Sequence, residues 1–430
     1  MTRKNNESFY PNGRADFRSV LFLALAVLLM AAGQVMAAEK SGPPVALDPD
    51  TATLLETGRW SEALDRLLPA FQQPGSDPNL RFSIALCYKR IGGNALAENR
   101  SAAAIDAFDR GLRFASGDPD LYLGLGSAYL MASDYAAAGS ALQDAIALRP
   151  EDPSAHRRLG RLYYLTDDAE SAVYHWERAL ELGGPDPALA ARLERLRRQL
   201  AASRHFETVA DHRFSVRFDG GRNPRLRDIV LEILGDAAFE IGQRLNIWPN
   251  RQIGVMLLTR TAFFDITGSP GWAAGIYEGQ IKVPVAGYRR DLLETVLHHE
   301  YIHAVLFDFL SDRCPWWLNE GLAQYFSPDP HGNRRKHDIA RDILADGHRP
   351  SLEGLPRQLT ADPQAAVATY SLALSATSYL IDAFDLFSLQ SLLEGLRDGM
   401  SPEAALRAAI GYSMADFEAE WIASVRRASR

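Results

Sequence analysis

The sequence predicts an α+β chain, mostly helical, in which a stack of helical hairpins precedes a small mixed sheet and a helical C-terminal half. Three observations carry this. A period of 34 residues runs through the first half. After Ser203 it gives way to short alternating and apolar runs, the mark of strands. From Leu292 onward the apolar residues return at helical spacing. The chain has 430 residues, 47% of them apolar, enough for two domains with cores. Its net charge of −8 leaves no chain-wide basic surface suited to nucleic acid. Two cysteines, Cys87 and Cys314, make no disulfide framework.

Residues 1–37 read as an export signal outside the fold. Arg14 and Arg18 precede an apolar run from Val20 to Ala32, and Val35-Met36-Ala37 offers the small residues that a signal peptidase accepts. Cleavage is expected after Ala37. The competing reading, an uncleaved anchor, is opposed by Gly33 and Gln34, which interrupt the run early. No cysteine follows the run, which argues against a lipoprotein. No later segment reads as long enough to span a membrane. The mature chain is expected in the periplasm or outside the cell.

The repeats come next. Tyr122, Leu125, Gly126, Tyr129, Ala138, Leu142, Ala145 and Pro150 recur 34 residues on as His156, Leu159, Gly160, Tyr163, Ala172, Trp176, Ala179 and Gly184. Ile84, Ala85, Tyr88, Ala104 and Phe108 mark an earlier copy, with extra residues around Ile91–Arg100 expected to lengthen its turn. Trp60, Ala63 and Leu67 suggest a degenerate first copy. The pattern resembles tetratricopeptide repeats, with small residues where paired helices cross and larger ones between repeats. Residues 47–203 are expected to form this solenoid, Pro187–Ala202 capping it with a polar outer face. The arginine-rich stretch Arg192–Arg204 reads as a solvated face. The resemblance implies a protein partner or substrate held by the repeats.

A second domain is expected over residues 206–430. His212–Phe218 alternates as a strand, Arg225–Leu245 is an amphipathic helix, and Gln252–Thr259 a buried strand. Gly275–Val285 reads as a further strand. Helices are expected over Leu292–Phe309, Pro315–Phe326, Arg335–Asp346, Pro363–Phe384, Leu386–Arg397 and Met414–Arg427. Pro315 suits the first turn of its helix.

The chemistry sits on two of these helices. His299-Glu300-Tyr301-Ile302-His303 places two imidazoles one turn apart on one helix face, where both reach one metal ion. Glu300 points beside that face and can take a proton from a metal-bound water. A catalytic zinc needs a third protein ligand and an open fourth position. Glu320, on the next helix, is well placed to supply that ligand. Cys314 is read as a buried or capping thiol, because a fourth protein ligand would close the site. His298 is turned off the ligand face and is read as a packing residue. These features read as a zinc-dependent hydrolase.

Trp317-Leu318-Asn319-Glu320-Gly321-Leu322-Ala323 after the histidines resembles the gluzincin metallopeptidases, the clan of thermolysin and aminopeptidase N-type enzymes. The resemblance spans roughly residues 206–390. Repeats joined to such a domain are also similar to exported bacterial proteins described as peptidase-MA-like. It implies a zinc peptidase acting on peptides, with His299, His303 and Glu320 as ligands and Glu300 as general base. The sixteen residues between His303 and Glu320 are slightly fewer than the family has, which implies a shorter loop through Ser311–Cys314. A family tyrosine that stabilises the oxyanion corresponds to Tyr370, with Ser371 and Ser375 on a neighbouring face. Tyr325 and Tyr379 are substitutes. His331, His337 and His348 read as solvated, His331 alone being near enough in sequence to approach the cleft. Gly275–Val283 corresponds to the edge strand on which family enzymes lay the substrate. The G-x-M-E-N motif of the aminopeptidases is missing there, so aminopeptidase and endopeptidase action stay open, with Glu278 the candidate amine holder. The alternative function is a repeat-based protein-binding scaffold with a vestigial metal site.

Overall fold

The computed structural model describes residues 47–219, 224–285, 289–345, 348–355 and 362–428. The expected signal segment lies outside the described residues. The chain divides into two compact units, Met1–Cys87 and Tyr88–Arg430.

In the first unit, α1 (Pro49–Glu56) and α2 (Trp60–Gln72) pair, and α3 (Leu80–Ala97) begins. Asp48 caps α1 by accepting the Thr51 amide at 3.0 Å. Leu54, Ala63, Leu64 and Leu67 are buried at helical spacing.

The second unit begins within α3. Helix α3 itself continues to Ala97, so the extra residues near Ile91 lengthen the helix and not the turn expected there. Then follow α4 (Ser101–Phe114), α5 (Pro119–Met131), α6 (Tyr135–Leu148), α7 (Pro153–Leu165), α8 (Ala169–Gly183) and α9 (Pro187–Ala202). Asp118, Asp152 and Asp186 cap α5, α7 and α9, each followed by proline at the first helical position. Asp134 and Asp168 cap α6 and α8. Gly126 is needed where α5 meets α6, since a Cβ there would stand 2.6 Å from Leu142 Cγ. Asn99, Ser133 and Asp167, spaced 34 apart, each close the first helix of a repeat with positive φ (57°, 57° and 67°). This row of turns faces the rest of the unit. The Asn99 carbonyl accepts from Arg313, that of Met131 from Ser311, and that of Leu165 from Arg251, at 3.0, 3.0 and 3.2 Å. Helix α9 closes the stack through Leu189, Leu193 and Leu196. Its other face is not simply solvated, as expected, because buried Gln199 donates to Gln280 at 3.1 Å.

Beyond the repeats lies a five-stranded sheet of order β1-β2-β3-β5-β4. It comprises β1 (Glu207–Ala210), β2 (Phe214–Phe218), β3 (Ile253–Leu258), β4 (Ile276–Tyr277) and β5 (Ile281–Pro284). The central strands β2, β3 and β5 run parallel, with β1 and β4 antiparallel at the edges. The single strand expected over Gly275–Val285 is a hairpin, because Gly279 (φ +85°) turns the chain between Tyr277 and Ile281. Helix α10 (Pro224–Leu245) packs on the sheet and on α12 (Arg290–Leu310); α11 (Arg260–Thr267) lies between β3 and α9. Then come α13 (Trp316–Tyr325), α14 (Pro330–Ala345), α15 (Pro363–Arg397), α16 (Pro402–Ile410) and α17 (Met414–Ala428). Pro315 is the residue before α13 and not within its first turn. The two helices expected on either side of Asp385 are both present within α15, meeting at that residue, whose backbone is non-helical (φ 69°). That element is long and apolar enough to cross a bilayer, contrary to expectation, yet 56% of its most apolar window is buried within the fold. Leu318 and Leu322 of α13 join Val305 and Leu306 of α12 in the main core, alongside Trp317, Phe417 and Trp421.

Candidate metal centre and its cleft

Helix α12 buries Leu293, Leu297, Tyr301 and Val305 at intervals of four, which turns His299 and His303 toward a cleft. A single turn, Ser311–Arg313, reverses the chain into α13, and this compact connection accounts for the short spacing to Glu320. Helix α13 then presses on α15. A Cβ on Gly321 would meet the Ala373 carbonyl at 2.6 Å and collide with Thr377, so only glycine lets the helices approach this closely.

The result brings His299, His303 and Glu320 together, their ligand atoms all within 4.8 Å of one another. Glu320 Oε2 stands 3.5 Å from His299 Nε2 and 3.6 Å from His303 Nε2. Two ligands about 2.1 Å from a tetrahedral ion stand about 3.4 Å apart, so the spacing suits one. That buried Oε2 has no hydrogen-bond partner, and neither has Glu300 Oε2 beside it. Two buried carboxylate oxygens without partners are costly unless a cation or water satisfies them. His303 Nδ1 lies 3.1 Å from Asn319 Oδ1, which fixes the tautomer that leaves Nε2 free to ligate. The three residues therefore fit a zinc ion.

Electrostatics separate the two carboxylates. Burial pushes the Glu300 carboxyl up to about 7, with His303 opposing and Glu320 reinforcing the shift. Burial also works against charge on Glu320, but His303 and His299 hold its carboxyl below the usual carboxylate range. Gly275 brings the chain before β4 against Glu300, where a Cβ would lie 2.8 Å from its Oε1.

Tyr370, on α15, lines the same cleft, packed against Trp316 at 5.7 Å and Trp272 at 6.4 Å between ring centroids. Burial, then the Glu320 and Glu300 carboxylates, push its hydroxyl pKa up, so it stays protonated and able to donate. Gln324 ties this tyrosine to the helix of Glu320, its Nε2 donating to the carbonyls of Glu320 and Tyr370 at 3.1 and 3.0 Å.

The other expected residues fall elsewhere. His298 is buried with Nδ1 2.9 Å from the Glu294 carbonyl. Cys314 lines the cleft outside the His-His-Glu group, and burial followed by Glu320 pushes its thiol up, away from the thiolate. Ser371 bonds the Val367 carbonyl, and Ser375 accepts from the Trp421 indole. Tyr379 packs on Phe384 and Phe417, and Tyr325 on Phe326. His331 and His348 are exposed, while His337 is half-buried beside Ser378, so it is not the solvated residue expected. Glu278 is held by the buried Lys282 ammonium at 3.2 Å, which also reaches the Tyr164 hydroxyl at 3.2 Å.

The cleft measures about 1030 Å³. One wall comes from the repeats: Arg161, Tyr164 and Leu165 of α7, and Arg192, Arg195 and Gln199 of α9. The arginine-rich stretch read as a solvated face thus partly lines the cleft.

Two family models match parts of this chain. Residues 267–427 match the model of the peptidase MA superfamily. A peptidase MA superfamily domain therefore follows the repeats. Residues 89–153 and 123–190 match that of the tetratricopeptide repeat. Peptidase MA membership suggests peptidase activity and is typically metal-dependent; tetratricopeptide repeats are typically protein-interaction modules. Among solved structures, the first tetratricopeptide repeat of Spaghetti (RPAP3) bound to the HSP90 peptide SRMEEVD is 27% identical, over 27% of this chain and 93% of its own, with a TM-score of 0.27. The first such domain of human RPAP3 is 26% identical, over 29% and 95%, with a TM-score of 0.27. A thermophilic tetratricopeptide-repeat protein of Thermus thermophilus, TTC0263, is 21% identical, over 40% and 96%, with a TM-score of 0.25. No curated protein matches the chain.

Proposed function

We propose that the chain is an exported zinc metallopeptidase. The observation that carries this is the meeting of His299, His303 and Glu320 within 4.8 Å, beside the buried, unpartnered carboxylate oxygen of Glu300. Zinc held by these three residues would polarise the scissile carbonyl and acidify the attacking water. Glu300 takes the proton from that water and passes it to the departing amine, a role suited to a carboxyl whose burial raises its pKa toward neutrality. Tyr370 donates its hydroxyl to the oxygen that gains charge on the carbonyl. The edge strand β4, running out from Gly275 beside Glu300, accepts an extended peptide as an added strand.

The ion pair between Glu278 and Lys282 favours endopeptidase action, because that carboxylate is already neutralised and poorly disposed to hold a free amine. Residues 47–203 serve as the recruiting module and 206–430 as the catalytic one. Export with removal of residues 1–37, and a periplasmic or secreted location, belong to the same proposal.

Zinc content and cleavage of a peptide library by the native and Glu300→Gln proteins test it. The variant should keep its zinc and lose several orders of magnitude in turnover. Native protein that binds no zinc, or a variant that cleaves as well as the native one, removes the assignment. Native protein that binds zinc yet cleaves no member of the library favours the scaffold with a vestigial site.

A further inference from the structure

From the repeat wall of the cleft we infer a substrate class: peptides carrying acidic residues a few positions from the bond to be cut. The inference rests on the peptidase reading of the same site. Strand β4 leads from Gly275, against Glu300, to the hairpin tip at Gly279, against Tyr164 and Leu165 of α7. At about 3.3 Å per residue this path is about 13 Å, so a peptide laid along β4 meets the repeats roughly three to five residues from its reacting bond.

At that end α9 presents a cationic face. Gln199 is anchored to Gln280, next to the hairpin tip. Arg195 and Arg192 precede it by four and seven residues, one and two turns back along the same face. Both line the cleft, and neither has a carboxylate partner among the described residues. Their neighbours are different: Arg197 is paired with Glu177 and Glu194, and Arg198 donates to the Asp265 carbonyl. Arg192 rests against the Trp176 ring, its guanidinium carbon 6.0 Å from the centroid, which holds it in place. Of the acidic residues lining the cleft away from the metal site, Glu278 is paired with Lys282 and Asp312 with Arg161. Glu353, exposed on the far segment, is the remaining one. Two uncommitted guanidinium groups therefore face a peptide emerging from the site, and carboxylates on it are their natural partners.

The test separates binding from catalysis. Fluorescent peptides with a neutral centre and an acidic block on either side, together with counterparts bearing lysine blocks, are titrated by anisotropy against the full-length, zinc-loaded Glu300→Gln protein. An acidic peptide should bind about tenfold more tightly than its lysine counterpart at low salt, the gap narrowing as salt screens it. Adding Arg192→Glu and Arg195→Glu should abolish or reverse the preference, while Arg192→Lys with Arg195→Lys should retain most of it. Equal binding of the two peptide classes, or a preference that survives charge reversal, overturns the inference. Cleavage of the neutral peptide by native protein reports separately on the peptidase reading.

Discussion

Asn319 and His303 are joined by a side-chain contact of 3.1 Å between Oδ1 and Nδ1, so the residue before Glu320 orients the His303 ring. Replacing Asn319 with alanine leaves the ring free to rotate and to change tautomer. Zinc affinity should fall about 10- to 100-fold, as for other outer partners of ligating histidines, with the fold intact. Competition with a chromophoric chelator measures this, and unchanged affinity would show that the contact does not orient the ring.

Gly275 sets the separation between the strand edge and Glu300, the proposed base. A valine there would push against Glu300 and Val296, both of which lie within 3 Å of where its Cβ must go. Displacing the base by about 1 Å should cost on the order of 100-fold in kcat. Zinc stoichiometry should stay at the native value, since no ligand is touched. Loss of the metal in this variant would contradict the geometry.

Gly321 carries a structural load instead. Alanine at this position collides with Thr377 and the Ala373 carbonyl, and α15 backbone cannot rotate aside as a side chain would. Destabilisation of about 1–3 kcal/mol is expected from such overpacking, together with weaker zinc binding as Glu320 moves. Urea denaturation of the metal-free protein isolates the first effect.

Acid should weaken the last repeat through His175. Burial, then its neighbour His156, depress the His175 pKa to about 4, while Asp168 opposes; His156 Nδ1 lies 2.9 Å from His175 Nδ1 and Tyr163 stacks on the ring. A depressed histidine pKa means that the unfolded chain binds the proton first as pH falls. The native state thus keeps its full advantage above about 6.5, loses it between 6.5 and 4, and loses no more below about 4. His175→Gln should flatten the melting temperature across that window relative to the native protein. Parallel profiles for the two proteins would count against it.

Much of the centre is legible in the sequence because its parts lie on consecutive helices. Two histidines one turn apart and a glutamate on the following helix are set by local spacing, and the structure brings them within ligand distance of one another. Asn319 and Gln324 carry no pattern of their own; their roles follow only from the packing of α13 on α12 and α15. Arg192 and Arg195 read as solvated because periodicity distinguishes a polar face from an apolar one, yet cannot tell open water from a water-filled cleft. The hairpin around Gly279 merges into one strand in the sequence pattern, although a glycine within an apolar run signals a turn. Strand β1 leaves no trace because it lies at the sheet edge, with one of its four residues even partly buried. Helix α16 has a legible start in Ser401-Pro402, a capping serine before a first-turn proline, yet its nine residues are too few to set up a clear apolar period.

The row of left-handed turns at Asn99, Ser133 and Asp167 gives the repeats a toothed edge with a pitch of 34 residues. A regular edge invites slippage: a neighbour that docks on one tooth fits the next almost as well. Here the teeth differ in chemistry. Only Asp167 carries a charge, and its carboxylate receives both Arg217 of β2 and Gln280 at the hairpin tip. Sliding the stack by one tooth would set serine where the acid belongs and strand a largely buried guanidinium. The aspartate thus acts as a key in a ratchet, selecting one register and so the pair of arginines that overlooks the cleft.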